Sequence, residues 1–461
     1  MPEQILPQRL GLRRELGTWG AVAIVVGTVI GSGIFLVPKP MIQQVGSPGM
    51  VFAVWIFGGI LSLFGALTYA ELAAAMPEAG GEYVYLREAY GPFFGFLYGW
   101  TQTWVAKSAS IATLATALFY YLANFFPQLE RAVFTAALPL GPNGGEFEIR
   151  GGQLLSMLII VGLGVLNYFG VKLGGQIQVF VTVVKVLAIA AIVVVGLVAG
   201  QGSSANFQTS VPAPGGIAGF FAALVAALWA YDGWNNVNMV ASEVKNPQRN
   251  LPLALIGGTL LVIAIYLAAN LAYFYVLSSG EVAQSDRVAA EMMRRALGPA
   301  GANAVSIAAM ISIFAALNGS ILSGSRVPYA LARDGYFFKP YARIDPRYGT
   351  PGVSIILLSL WSAVLVLSGR YEQLYTLVIF PSWILYAMAT ASVIVLRHKR
   401  PEMIRPYKTL AYPVVPVLFV LVAVALIFST LIASPRESVL GLILIVLGLP
   451  FYFHWNRRKT I

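Results

Sequence analysis

Gly27-Thr28-Val29-Ile30-Gly31-Ser32-Gly33-Ile34-Phe35 puts three glycines within seven residues, in the middle of an apolar block. Glycine loses more backbone freedom on entering a helix than any other residue, so helical continuity is weakest there. About 200 residues further on, Trp229-Ala230-Tyr231-Asp232-Gly233-Trp234-Asn235-Asn236 interrupts a second apolar block. Its consecutive polar and glycine positions are poor helix formers and costly in lipid. Two breaks at matching depth point to a transporter built from two inverted repeats, here of five helices each. An unwound point frees N–H groups on one side and carbonyls on the other. The N–H side favours a carboxylate, as helix N-termini favour anions, and the carbonyl side favours an ammonium. A zwitterionic amino acid matches both fields. Close packing of small residues would account for the first glycines alone; a second break in the matching position favours a site.

The rest of the chain sets those breaks in a membrane. Of its 461 residues 58% are hydrophobic and only 11% charged, against about 25% in soluble proteins. The apolar blocks reach the roughly 20 residues that a helix needs to cross a bilayer. Lipid offers the backbone no hydrogen bonds, so such blocks are helices. The short alternating segments of a β-barrel are missing. There is no cysteine, hence no disulfide and no thiolate chemistry. The opening stretch Met1–Thr18 is polar, carries Arg9, Arg13 and Arg14, and leads into no cleavage pattern, so no removable signal peptide is expected.

Twelve spans follow, in a single transporter domain over 1–461. The first five helices cover 18–44, 49–76, 93–125, 152–170 and 175–200, about 18–200 in all. Helices 6 to 10, at 215–243, 252–278, 301–332, 352–369 and 373–396, form the inverted repeat over about 215–396. Helices 11 and 12 cover 412–433 and 438–456, about 412–456. Lys and Arg concentrate on one side, among them Lys339, Arg343, Arg347, Arg397, Lys399, Arg400 and the tail Arg457–Lys459. The positive-inside bias therefore places both termini in the cytoplasm of a cell-membrane protein. That placement explains the net charge of +11 without nucleic-acid binding. Gly80–Tyr90 and Arg333–Tyr348 read as short amphipathic helices on the inner side. The outer Glu281–Leu297 reads either as a cover over the mouth or as a passive connection.

Several polar residues lie deep in these spans. Lys185 is about ten residues into helix 5, ~15 Å from its start, too deep to reach either surface easily. A lysine there costs about 2.5–3.5 kcal/mol on insertion scales and needs a partner, for which Asn318-Gly319-Ser320 on helix 8 is the natural candidate. Asp232 has two readings: contact with a substrate amino group or basic side chain, or a cap on freed backbone N–H groups. Trp229 reads as a gate over the substrate or as ordinary packing, and Asn235 as a substrate ligand or a brace for the unwound chain. Lys107 is buried on helix 3 without an assigned role. Glu71 and Arg326 lie where ion pairs would hold the inner half together.

These residues, read in order, resemble the L-type amino acid transporter branch of the amino acid–polyamine–organocation superfamily. The resemblance runs over nearly the whole chain. It is carried by Gly27–Phe35, Gly46-Ser-Pro-Gly49, Thr68-Tyr-Ala-Glu-Leu72 and Gly80-Gly-Glu-Tyr83. It continues through Trp229 to Glu243-Val-Lys-Asn-Pro-Gln-Arg-Asn-Leu-Pro252, Asn318-Gly-Ser320 and Leu396-Arg-His-Lys-Arg-Pro401. It implies an all-α, LeuT-like membrane fold with helices 1 and 6 broken, and sodium-independent exchange of L-amino acids. By position it gives the substrate carboxylate to the amides of Gly31, Ser32 and Gly33, and the amino group to carbonyls near Val29, Trp229 and Asp232. Trp229 takes the aromatic gate position. Sodium-coupled relatives place a cation where helices 1, 5 and 8 meet; Lys185, with Ser320 and Asn318 nearby, would stand in for it. Animal members pair with a heavy chain through a cysteine after helix 3. The segment Phe126–Gly151 has none, so no disulfide-linked partner is expected.

The resulting expectation is an exchanger of small or medium neutral L-amino acids, with no cofactor and no bound metal. The rivals are a cationic amino acid or polyamine permease using Asp232, and a proton-coupled symporter using Asp232 or Lys185. An embedded enzyme is disfavoured. His398 and His454 sit at helix ends, and no nucleophile–base or metal-ligand pattern falls within the spans.

Overall fold

Apolar runs with no solvent to satisfy their peptide groups fold as helices, and helices dominate the computed structural model, which describes residues 11–138, 145–368, 371–433 and 435–460. Arg9, and the side chains of Arg458 and Lys459, lie outside the described residues. Among the described residues ten helices are long and apolar enough to cross a membrane, joined by two shorter apolar helices, Gly216–Tyr231 and Gly352–Leu365. This is a multi-pass, all-α membrane protein. Outward faces such as Phe180, Leu187 and Val194 of helix 5 are exposed and apolar, as surfaces bathed in lipid must be.

Helix 1 starts at Thr18 and ends at Val29; at Ile30 the backbone leaves helical geometry with φ −73° and ψ 86°. Winding resumes over Gly33–Leu36 and Pro38–Val45. Helix 6 covers Gly216–Tyr231 and stops at Asp232, whose ψ of 143° is extended. Gly233 follows at φ 103°, a left-handed value that only glycine adopts without strain, before the short turn Asn236–Met239. Helix 3 holds a π-helical stretch, Gln102–Ala106, immediately before Lys107. Such bulges insert a residue and re-aim the side chains that follow.

The structure adds one local feature and corrects two local readings. Phe126–Gly151 contains two antiparallel strands, β1 (Ala132–Leu138) and β2 (Gly145–Arg150). The segment 281–297 is not one connecting helix. Ser279–Gln284 stands alone, a second helix starts at Val288, and Gly298, non-helical at φ 69° and ψ −160°, separates that helix from helix 8, which runs on to Gly324. Of Arg333–Tyr348, only Arg333 closes a helix, with a 3-10 turn over Lys339–Ala342.

Ties cross both ends of the bundle. Where helix 1 begins, the Leu16 amide donates to the Glu243 carbonyl (2.9 Å) and the Lys245 amide to the Leu16 carbonyl (2.8 Å). There Arg326 grips Glu243 with two bonds of 2.7 and 2.9 Å, both side chains fully buried. Glu71 pairs instead with Arg397 (2.6 Å) and Arg405 (3.3 Å). At the opposite end Lys39 meets the exposed Asp286 at 2.5 Å, and Gln43 donates to the Ala283 carbonyl at 2.8 Å.

Candidate functional site

The two breaks lie against each other. A Cβ on Gly33 would fall 2.5 Å from the Ala230 Cα, so only glycine allows the resumed helix 1 to touch helix 6 this closely. The Thr28 hydroxyl, bonded within its own helix to Ile24 (2.6 Å), also reaches the Gly233 carbonyl at 2.9 Å. Between the breaks is a cavity, about 310 Å³ of empty space when the solvent it opens to is included. Helix 1 lines it with Thr28, Val29, Gly31, Ser32 and Gly33; helix 6 with Trp229, Asp232, Gly233 and Asn236. Ser110 and Leu114 of helix 3 and Ser320 of helix 8 close it.

Most of the expected residues therefore meet, with differences of detail. The Gly31 amide is turned back onto the Val29 carbonyl at 2.8 Å, so this conformation spends it on the turn instead of on a guest. The Asp232 carboxylate accepts a bond from Tyr386 of helix 10 at 2.9 Å. Asn235 does not line the cavity: its amide nitrogen donates to Glu82, and Asn236 takes the lining position. An irregular segment has no period from which to tell two neighbouring asparagines apart.

Lys185 is fully buried where helices 1, 5 and 8 meet, but its partners are not the expected ones. Its ammonium donates to the carbonyls of Gly27 (2.7 Å) and Ile30 (2.6 Å), with the Ser312 carbonyl at 3.5 Å. The Ser312 hydroxyl donates to Ile30 as well, at 2.9 Å. Asn318 is taken up elsewhere, by Gln178 (2.9 Å) and Asn167 (2.8 Å). Ser320 faces the cavity. Ser312 lies eight residues before Ser320, ~12 Å along the helix. Helix 5 thus grips helix 1 along one stripe, since Gln178 and Thr182 both donate to the Ala23 carbonyl at 3.3 Å.

Two further residues have no role assigned from the sequence, although Lys107 reads there as buried. Tyr266 of helix 7 places its hydroxyl 2.9 Å from the Val29 carbonyl and 2.7 Å from the Ala230 carbonyl, one on each broken helix. Lys107, re-aimed by the π-helical stretch, donates to Asn236 at 2.7 Å behind the cavity wall. Glu82 of the connecting segment Glu82–Tyr90, which the sequence presents only within the motif Gly80-Gly-Glu-Tyr83, accepts from Asn235 and from Tyr98 (2.8 Å) and is fully buried.

A multi-pass bundle with a buried polar cavity between two interrupted helices is the architecture of a small-solute carrier. Residues 16–449 match the amino acid permease family, and the chain belongs to it. It is 34% identical over 456 residues to the b(0,+)-type amino acid transporter 1 of Homo sapiens, covering 98% of this chain and 90% of that one. It is 33% identical over 456 residues to the serine/threonine exchanger SteT of Bacillus subtilis (strain 168), covering 98% of both. The cystine/glutamate transporter of Homo sapiens is 32% identical over 457 residues, with 98% of this chain and 87% of that one covered.

Proposed function

We propose that the protein is a sodium-independent exchanger of small or medium neutral L-amino acids, working by alternating access about the cavity between helices 1 and 6. It is read as a transporter and not an enzyme, with twelve spans, helices 6–10 repeating 1–5 in inverted form. Both termini lie in the cytoplasm of the cell membrane. It acts without a disulfide-linked heavy chain, since it has no cysteine to hold one. The observation that carries the reading is the Lys185 ammonium resting on the Gly27 and Ile30 carbonyls. A fixed cation there removes the need for a transported one, and it holds the helix 1 break open at Ile30. Substrate carboxylate would meet the start of the resumed helix at Ser32 and Gly33; substrate ammonium would meet Asp232 and the carbonyls near Val29 and Trp229. The exchanger named among the relatives supports coupling of one amino acid to another.

Purified protein in liposomes tests this. Uptake of labelled L-serine should require amino acid inside, and should be equal in sodium and choline buffers. Accumulation in empty liposomes under a pH gradient, or steep sodium dependence, overturns the assignment.

A second reading follows from the Asp232 carboxylate at the cavity wall: a cationic side chain could be paired there. Asp232→Asn should then remove arginine uptake while sparing serine. Unchanged arginine uptake excludes it.

A further inference from the structure

Behind the cavity wall is a set of charges that transport by backbone dipoles leaves unexplained. Asp232, at the wall, accepts from Tyr386; Tyr386 in turn lies against Asn235, and Asn235 donates to Glu82. Tyr98 of helix 3 donates to the other Glu82 oxygen. The cavity is thus linked to a second carboxylate through Tyr386 and Asn235, which are hydrogen-bonded to Asp232 and Glu82 respectively and adjoin one another; that carboxylate is fully buried on a segment outside the long spans. Facing Glu82 are Tyr69 of helix 2, Tyr85 of its own segment, Tyr98 and Lys107 of helix 3, and Tyr386 of helix 10. Lys107 is the single cation in that set, and its charge acts on both Glu82 and Asp232. Lys185, bonded to carbonyls, is placed apart from both. Two carboxylates share one lysine, and of the two Asp232 lines the cavity while Glu82 is fully buried; an ionised Glu82 would leave the excess negative charge in the dry part of the set, which proteins avoid by taking up a proton.

A second observation points to where that proton sits. The Asn235 carbonyl oxygen, in a fully buried side chain, has no hydrogen-bond donor among the described residues. An ionised Glu82 cannot supply one; a protonated Glu82 can, once the Asn235 amide is turned over, an orientation assigned from partners and not seen directly. Burial also pushes the Glu82 carboxyl up from its usual range.

We infer that Glu82 is a proton-binding site wired to the cavity, protonated while the cavity is empty and ionised when a substrate ammonium reaches Asp232. The O–H bond of Glu82 breaks, its electron pair stays on the carboxylate, and the proton passes to solvent. The arriving ammonium replaces the lost positive charge. When the amino acid leaves on either side the proton returns, so exchanging one amino acid for another moves no net proton. The inference rests on the cavity being the amino acid site.

Infrared difference spectroscopy of the full-length protein in lipid discs separates the two. Without amino acid, wild type should show the carbonyl stretch of a buried protonated carboxyl, absent in Glu82→Gln and displaced in frequency in Glu82→Asp. Saturating L-serine, with binding followed by calorimetry, should remove the band. Absence of the band in wild type between pH 5 and 7.5, or its persistence in Glu82→Gln, overturns the proton site. Should Glu82→Gln not fold, loss of the wild-type band at alkaline pH and its displacement in Glu82→Asp decide the same point. A band unchanged by bound serine overturns the coupling. Lack of any serine heat counts against the transport reading alone, and the band without ligand still decides for or against Glu82.

Discussion

Lys185 donates to the carbonyl of Ile30 over 2.6 Å, setting its amino group against the last peptide before the glycine turn of helix 1. The bond explains two facts together: why a lysine is tolerated at that depth, and why helix 1 stays unwound there. A carbonyl turned sideways to a cation is unavailable to the helix that made it.

Lys185→Ala should therefore leave a folded protein whose exchange is slowed by at least about tenfold. The Gly27 carbonyl loses its lysine donor and Ile30 keeps only Ser312, at about 1–3 kcal/mol for a buried group left unsatisfied, and each 1.4 kcal/mol on the barrier is a factor of ~10. Liposome exchange, alongside size-exclusion chromatography, measures both. Wild-type flux would refute the assigned part, and partial recovery by sodium would strengthen it.

Tyr266→Phe removes one oxygen and keeps the ring, which packs against Trp55 at 5.1 Å between centroids. The loss falls on the carbonyls of Val29 and Ala230, so the two breaks lose a shared brace. Exchange should drop about tenfold with thermal stability little changed. An equal fall in stability and flux would mark the hydroxyl as general scaffolding.

Arg326→Ala leaves Glu243 charged and unpaired in a dry setting, which costs about 3–5 kcal/mol. The thermal midpoint in detergent should fall markedly. The double variant Arg326→Met with Glu243→Leu should recover most of it, because the desolvation of both charges disappears with them. Failure to recover would mean that the pair positions the chain as well as neutralising it.

Glu281 supplies a pH test away from the spans. The Arg295 guanidinium, helped by Ser278, holds its carboxyl down at about 2. A carboxyl lowered on folding adds stability that is complete above its unfolded value of roughly 4.3 and is lost as pH falls through the folded value. The side chain is 39% exposed, so the effect is about 1 kcal/mol or less. Hydrogen-exchange protection of 278–284, corrected for intrinsic rates, should weaken between pH 4.5 and 2 in wild type and stay flat in Glu281→Gln.

That the chain is a multi-pass, all-α membrane protein is legible in sequence because lipid imposes a minimum span and forbids unpaired backbone. The two breaks are legible because glycine and asparagine in such spans are conspicuous, and the lysine of helix 5 because a charge at that depth demands company. What could not be read was which company. Asn318 and Ser320 look like natural partners, yet the ammonium found backbone oxygens, which every residue owns and no side chain advertises. Tyr266 is hidden for the same reason. Lys107 is aimed by a π-helical stretch that adds a residue without any marker of its own, and the strands Ala132–Leu138 and Gly145–Arg150 are too short for alternation to stand out.

The contacts sealing the two ends of the bundle differ in kind. Arg326 and Glu243 meet out of reach of dissolved ions, whereas Asp286 opposite Lys39 is 86% exposed. Mobile ions at 0.15 M screen charges over about 8 Å in water but scarcely inside protein. Ionic strength should thus loosen one door and leave the other shut. A carrier with doors so unequal would not divide its time evenly between its two faces, and the medium on one side would help set the division.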